Sequence, residues 1–358
     1  MSQAFDAAEQ QSRLEERASR ALALAAELGA DACEVGASVD QGIGVGVRLG
    51  ETESVELSRD QGIAVTVYVG QRKGNASSSD ASDASLRAVV EKAIAIARHT
   101  GEDPAAGLAE AALMATELPD LDLHHPWALD TDAAIELALR CEQAGRERAG
   151  ITNSEGASLS STEAVTVYAN SHGFLGSRRG TRHSLSCLLI AGSGERMQRD
   201  HDFTTARRAS DLASPEQVGI SAAERTLRRL DARRPRTGRF PVLFAPEMAR
   251  GLVGNLLNSI AGGRSTASPR SSAISSGRRC FPSGSPLASI RASAAAWRVL
   301  PSMGTAWPPA TTSSSIRAAW PATCCRLTAL AASALIPPAM PAARATCASR
   351  RRPPNWRR

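Results

Sequence analysis

The chain has 358 residues, 42% hydrophobic and 22% charged, with a formal net charge of +6. That length accommodates two domains and a sizeable core, and the balance is that of an ordinary globular protein. No apolar run is long enough for a transmembrane helix, and Met1–Arg20 is too polar for a signal peptide, so the expected location is the cytoplasm.

Ala4 to Leu28 reads as an amphipathic helix, with Leu14, Ala18, Ala21, Leu22, Ala25 and Leu28 on one face and Gly29 as its stop. Four strands follow at Ala32–Val39, Ile43–Leu49, Ser54–Leu57 and Ile63–Val69, with Asp60-Gln61-Gly62 as a turn. Asp80 to Thr100 is a second helix, Leu118 to Pro126 a loop, and Asp130 to Arg148 a third helix. Strands are expected again at Ala157–Ser161, Ala164–Ala169, Gly173–Thr181 and Ser184–Ser193. Ser214 to Arg233 forms a fourth helix that Pro215 suits as a first-turn residue. After the linker Arg234–Gly238 come a buried strand, Phe240–Phe244, and a helix, Pro246–Ile260. Helix, strands, helix, repeated, predicts an α+β fold with antiparallel or mixed sheets and packed helices, possessing an internal duplication. Cys33, Cys141 and Cys187 stand far apart and read as buried thiols rather than a disulfide framework.

From Arg264 the composition changes. The last 95 residues hold 14 Arg and no Lys, Asp or Glu. Met1–Gly263 carries 28 basic and 36 acidic groups, a net of −8, so the +6 of the whole is a −8 body joined to a +14 tail. Four of the five Trp and 12 of the 19 Pro also lie in that tail. An Arg-rich nucleic-acid arm and a disordered basic tail are two readings of it.

The stretches Gly29–Val35, Val47–Gly50, Asp60–Ile63, Val67–Arg72, Ala93–Arg98, Asn170–Phe174 and Phe240–Pro246 occur in the order and spacing of the TldD/PmbA family. The body, from Glu34 to Gly263, resembles its PmbA (TldE) branch. The resemblance implies a continuation close to A-L-Y-R-(K/E)-S-S-F after Ser259–Gly263, where this chain has Arg264–Ser271. Shifted by one base, the codons from that junction to Ser271 can encode A-L-Y-R-E-S-S-F. Whatever the codons used, Met303-Gly304, Trp307-Pro308, Met340-Pro341 and Cys324-Cys325 must give Gly, Ala, Ala and Leu in the shifted frame, each where the family pattern has it. The tail therefore reads as the family's C-terminal part out of frame. The expected division is 1–235 for the N-terminal domain, 236–263 for the start of a β-rich C-terminal domain, and 264–358 for an out-of-frame, disordered tail.

Members of the TldD branch carry an H-E-x-x-x-H helix, in which two His bind a zinc-type metal and Glu polarises water. The corresponding helix here, Glu247–Ile260, has no His. Asn255 and Ile260 fall at the two ligand positions and Leu256 at the Glu position. The resemblance thus implies a non-catalytic PmbA/TldE subunit of a metalloprotease complex acting on peptides. It would have no metal of its own and a TldD-like partner holding the zinc-type ion. A metallopeptidase in its own right and a nucleic-acid binder acting through the tail are the alternatives. Other candidates carry weaker chemistry: Asp200-His201-Asp202, His124-His125 and His172 read as loop or turn residues, and His183 and Cys187 share one strand face. Gly42-Ile-Gly-Val-Gly46 alternates as a strand and does not match a phosphate loop. Arg178, Arg179, Arg182, Arg207 and Arg208 are candidates for a basic patch, with a solvated surface or contacts to a partner subunit as the default reading.

Overall fold

The computed structural model describes residues 5–260, except 81, 105, 110, 115–117, 119 and 234. The chain divides into two compact units; among the described residues the larger runs to 233 and the smaller starts at Pro235. The expectation for 264–358 lies outside the described residues.

In the larger unit, α1 (Ala7–Glu27) starts at Asp6, whose carboxylate accepts the Ala8 and Glu9 N–H groups at 2.8 and 3.1 Å. Leu14, Ala18, Ala21 and Ala25 are buried at alternating steps of four and three. Gly29, at φ +85°, ends the helix in the left-handed region that glycine tolerates. Strands β1 (Ala32–Arg48), β2 (Glu51–Val69) and β3 (Arg72–Ser78) follow, then α2 (Asp83–His99) capped by Ser82. The pattern recurs: α3 (Thr131–Arg146) capped by Asp130, β4 (Ile151–Asn170), β5 (Leu175–Ala191), β6 (Gln198–Ala206) and α4 (Pro215–Leu227). Ser214 and Gln217 form a reciprocal capping box at the start of α4. Two α-β-β-β-α halves result, as the repeated pattern suggested.

All six strands join one antiparallel sheet in the order β3-β2-β1-β4-β5-β6. The two halves meet where β1 pairs with β4, from Glu34 opposite Asn170 to Val47 opposite Ala157. Val35, Ala37, Val39, Val45 and Val47 alternate along β1 and point to one face. They feed two apolar clusters on that face: one under α1 and α2, the other under α3 and α4. The opposite face of β1 carries Gly36, Ser38, Asp40, Gly42, Gly44 and Gly46.

Several strand expectations need correction. The paired pieces in each half are single long strands. Asp60-Gln61-Gly62 is mid-strand in β2, opposite Asp40, Val39 and Ser38 of β1, because the ladder satisfies its backbone without a turn. The hairpin turn is instead Leu49-Gly50, both with positive φ (55° and 87°). β3 and β6 were not expected, since Arg72-Lys-Gly-Asn-Ala-Ser-Ser78 and Gln198–Ala206 lack an apolar alternation. β3 instead owes its place to Gly74. A Cβ there would lie 2.0 Å from the Ala93 carbonyl oxygen of α2. In the smaller unit, Phe240–Phe244 is neither a strand nor buried, with Leu243 93% exposed. The helix after it, α5 (Pro246–Ile260), forms as expected.

Among the described residues no helix is long and apolar enough to cross a membrane. The three described cysteines are buried and free.

One buried acid ties the halves together. Glu142 of α3 has a 1% exposed side chain and accepts the Leu49 N–H at 2.7 Å and the Gly50 N–H at 2.8 Å. Arg146, one helical turn on, stands 3.8 Å from the same carboxylate. The second half thereby holds the β1–β2 hairpin of the first. Glu142→Ala is expected to lower unfolding stability by roughly 2 kcal/mol, and Glu142→Gln by about half of that, because charge-assisted bonds are lost. Urea unfolding of the two variants beside the parent chain checks this.

Candidate functional site

A polar belt interrupts the helix-covered face between the two apolar clusters. In it Gln41 stands opposite Glu163 and Glu163 opposite Thr181; one pleat on, Ser161 stands between Ile43 and His183. The segment leading into α3 lies along this belt and is fastened to it repeatedly. The Thr181 N–H donates to the Leu123 carbonyl at 2.9 Å, and the His125 N–H donates to Thr181 Oγ1 at 3.0 Å. His124 Nε2 meets Glu163 Oε1 at 2.6 Å. His125 Nε2 lies 3.2 Å from Asp122 Oδ1, and Arg208 bonds to both His125 and Asp122. His124-His125 is therefore an anchored pair, with more order than a plain polar loop requires.

His183 is the centre of the belt and is 1% exposed. Its Nε2 lies 3.1 Å from the His125 carbonyl oxygen, so Nε2 carries the proton and donates. Its Nδ1, 2.9 Å from Ser161 Oγ, then accepts the serine hydroxyl proton. Trp127 packs edge-on against the ring at 5.3 Å. Burial pushes the His183 pKa down, against the pull of the His125 and Arg207 carbonyls. The Ser161–His183 pair has the contact of a nucleophile and its base, but it is buried: Nδ1 is taken by Ser161 of β4 and Nε2 by the His125 carbonyl of the 121–129 segment, so the ring clamps that segment to the sheet. Its role is structural.

On the opposite face Glu34 accepts the Tyr68 hydroxyl at 2.9 Å and the Tyr168 hydroxyl at 3.0 Å. Lys73 Nζ lies 5.8 Å from the centre of the Tyr68 ring. A glutamate in a strand that otherwise reads as core was the available signal for this cluster. The same signal, an acid in line with Ala134 and Ala138, marked Glu142 on α3.

The remaining candidates separate. Asp200-His201-Asp202 lies in β6 rather than a loop. Asp200 pairs with Arg229 and Asp202 with Arg225 of α4, at 3.1 and 3.4 Å. His201 instead stacks on Phe203 at 6.3 Å. The three cannot converge on one ion. His172 Nδ1 accepts no catalytic partner but meets the Ala109 carbonyl at 2.9 Å, while Asn170 Oδ1 accepts the His172 and Phe174 N–H groups and forms the turn. Cys187 does not join His183: its free thiol lies against that of Cys141 of α3, and this thiol–thiol hydrogen bond, with burial, raises the Cys141 pKa. Burial pushes the Cys33 thiol up to about 12, with Glu34 adding to it. Arg179 Nε bonds to Gln11 Oε1 of α1 at 2.6 Å, whereas Arg178 Nη2 lies 3.4 Å from Thr166 Oγ1 and is pushed down to about 10 by burial and by Arg207. Arg178 and Arg207 thus lie near each other, while Arg179 is tied to α1 and Arg208 to the His125–Asp122 pair. Gly42–Gly46 is β-strand.

Asn255, Leu256 and Ile260 all lie on α5, in the smaller unit. Asn255 is exposed; the side chains of Leu256 and Ile260 lie outside the described residues. An amide and two alkyl groups do not fit a zinc-type ion, which takes imidazole, thiolate or carboxylate. Among the described residues no three His, Cys, Asp or Glu side chains gather into a metal-binding group.

The lowered pKa of His183 makes a signed prediction. The unfolded chain binds a proton there more readily, so stability is complete above the ordinary histidine pKa of about 6.5 and falls as pH drops through it. His183→Gln is expected to be less stable at neutral pH and to lose less on acidification, with the slope difference bounded by about 1.4 kcal/mol per pH unit. Urea midpoints of parent and variant on the two sides of that pKa read the difference; equal slopes contradict it.

Two family models match the chain in order: the PmbA/TldA metallopeptidase domain 1 over residues 33–97 and the PmbA/TldA metallopeptidase central domain over 124–230. The chain is 46% identical over 251 residues to Metalloprotease PmbA of Escherichia coli O157:H7, which takes in 70% of this chain and 56% of that protein. It is 41% identical over 255 residues to a PmbA homologue of Haemophilus influenzae, covering 71% of this chain and 56% of the relative. The chain spans about half the length of the curated relatives it matches. The fold is similar to that of a Bacteroides thetaiotaomicron protein described as a candidate modulator of DNA gyrase. The TM-score is 0.64 at 22% identity, over 69% of this chain and 57% of that one. A Thermotoga maritima protein of like description gives 0.52 at 14% identity, over 63% and 50%. With both domain models matched in sequence order and these identities behind them, the chain belongs to the PmbA/TldD family.

Proposed function

We propose that the intact protein is the non-catalytic, PmbA/TldE-type subunit of a cytoplasmic metalloprotease complex that cleaves or matures peptides. One observation carries this reading. The helix that would supply the metal ligands, α5, offers Asn255, Leu256 and Ile260 at the three decisive positions. A metallopeptidase needs two ligands and a base there, and these side chains supply none. The zinc-type ion and the hydrolytic water then belong to a TldD-like partner. The role of this chain is to pair with that partner and complete the enclosure around the peptide. The names of the curated relatives, all metalloproteases, are compatible with a subunit of such a complex.

In the same proposal residues 1–235 are the N-terminal domain, 236–263 begin the C-terminal domain, and the Arg-rich segment from Arg264 is that domain's gene read one base out of frame. The 95 residues after Gly263, with 14 Arg and no Lys, Asp or Glu, support this division. A nucleic-acid role has less support, since a Ser-, Pro-, Ala- and Arg-rich tail without Lys or a recognisable binding motif offers only non-specific phosphate attraction.

Co-expression of the frame-restored chain with the TldD-type subunit of the same genome is the test. The expected result is co-elution of the two, with peptide hydrolysis that requires the partner and disappears on chelation. Elution of this chain alone beside abundant partner contradicts pairing. Chelator-sensitive hydrolysis by this chain alone, with bound zinc, contradicts the non-catalytic assignment.

A further inference from the structure

The outer edge of β2 is paired over only part of its length. β3 takes up Ile63–Val69, and from Glu51 to Gly62 no described strand lies beyond β2, although its inner edge pairs with β1 over this whole stretch. A free edge presents a row of outward N–H and C=O groups, the template on which another strand adds.

Two side chains distinguish this edge. Val55 is 45% exposed and Leu57 74% exposed. They stand opposite Val45 and Ile43 of β1, on the helix-covered face. Val45 belongs to the cluster under α3 and α4, and Ile43 packs against it. The apolar surface of that cluster therefore continues past β1 to the edge of the sheet and ends exposed. Natural edges are ordinarily guarded by charged side chains, Lys above all, by Pro or by a bulge. Here the one register shift leaves Glu53 as the extra residue near the hairpin end, and beyond it Ser54–Asp60 has neither Lys, Pro nor a further shift, so its charges alone set which strand can add.

Charge decides what kind of strand fits. Glu51, Glu53, Glu56 and Asp60 against Arg59 leave the edge at −3. Arg48 approaches Glu53 at 3.8 Å and offsets it only in part. Asp60 stands opposite Asp40, whose pKa is raised by burial and by that neighbour. Pairing with a second copy would set −3 against −3. Glu56, Ser58 and Asp60 lie on the face opposite Val55 and Leu57. The complementary strand is therefore apolar on one face and basic on the other.

We propose that the free edge of β2, Glu51–Asp60, docks an extended segment of another protein as an added strand, its apolar side chains over Val55 and Leu57 and its Lys or Arg side chains against Glu56 and Asp60. This goes beyond the subunit role and does not depend on it.

The full chain is titrated against a fluorescent peptide of about nine residues that alternates valine and lysine, long enough for the edge. The controls are its valine–glutamate counterpart and a version interrupted by proline. Binding of the first alone, weakened about tenfold or more by the exposed-site double substitution Val55→Glu/Leu57→Glu, is the expected result. Hydrogen exchange should slow in Glu51–Asp60 on binding and stay unchanged in Ile63–Val69, which β3 already protects. Equal binding by the double variant, equal binding of the glutamate peptide, protection located elsewhere, or no binding at all overturns the proposal. Concentration-dependent dimerisation abolished by the double substitution would assign the edge to a second copy and also overturn it.

Discussion

The pairing of β1 with β4 is the constraint on which the rest of this structure depends. Each half, taken alone, is a three-stranded antiparallel sheet with two helices on one face, and its innermost strand would be an open edge. Joining β1 to β4 closes both edges at once and aligns the two apolar faces. Register matters here more than in most sheets, because Val35, Ala37, Val39, Val45 and Val47 share one parity with Val165, Val167 and Leu159. A slip of one residue would turn every one of these toward the helix-free face and bring glycine and serine under the helices. Glu142 adds a second, chemically different tie between the halves, reaching from α3 to the turn that β1 and β2 share. Close backbone approach does the rest: Gly219 of α4 lies so near α3 that a Cβ there would meet the Cys141 carbonyl oxygen at 2.0 Å.

The helices were legible in the sequence because their signals are local. Asp6, Ser82, Asp130 and Ser214 are caps, and the apolar spacing behind each gives the buried face. The duplication was legible for the same reason. Strand limits were less so. The Asp60-Gln61-Gly62 run reads as a turn, but Asp60 and Gly62 face away from the helices, where a strand needs no apolar side chain. β3 and β6 are hairpin partners of the strands just before them, but neither Arg72–Ser78 nor Gln198–Ala206 carries an apolar alternation that announces a strand. Phe240–Phe244 is the reverse case, an apolar run that reads as a buried strand but stands exposed among the described residues.

Site residues followed a similar rule. Absence of histidine on α5 is plain in the sequence and needs no fold. The anchoring role of His183, His124 and His125 could not be read from it, since His183 and His125 are 58 positions apart and meet only because β5 runs beside the 121–129 segment. His183 and Cys187 do share a strand face, yet each found a partner of its own in another element, Ser161 for the one and Cys141 for the other. Geometry thereby separates the pair and leaves His183 holding the 121–129 segment to the sheet.

The family assignment rests on residues 33–230, and the chain reaches only about half the length of its curated relatives. The proposal that the missing half is encoded one base away links the acid-free tail, the family pattern after Gly263 and the forced Gly, Ala and Leu codons in one cause. Sequencing the gene across the codons for Gly262–Arg264 and through those of the tail tests it most directly. The account predicts that the shifted frame opens with A-L-Y-R and runs on without a stop as a PmbA-like C-terminal domain. A shifted frame that is broken by stop codons, or that encodes no such continuation, contradicts it.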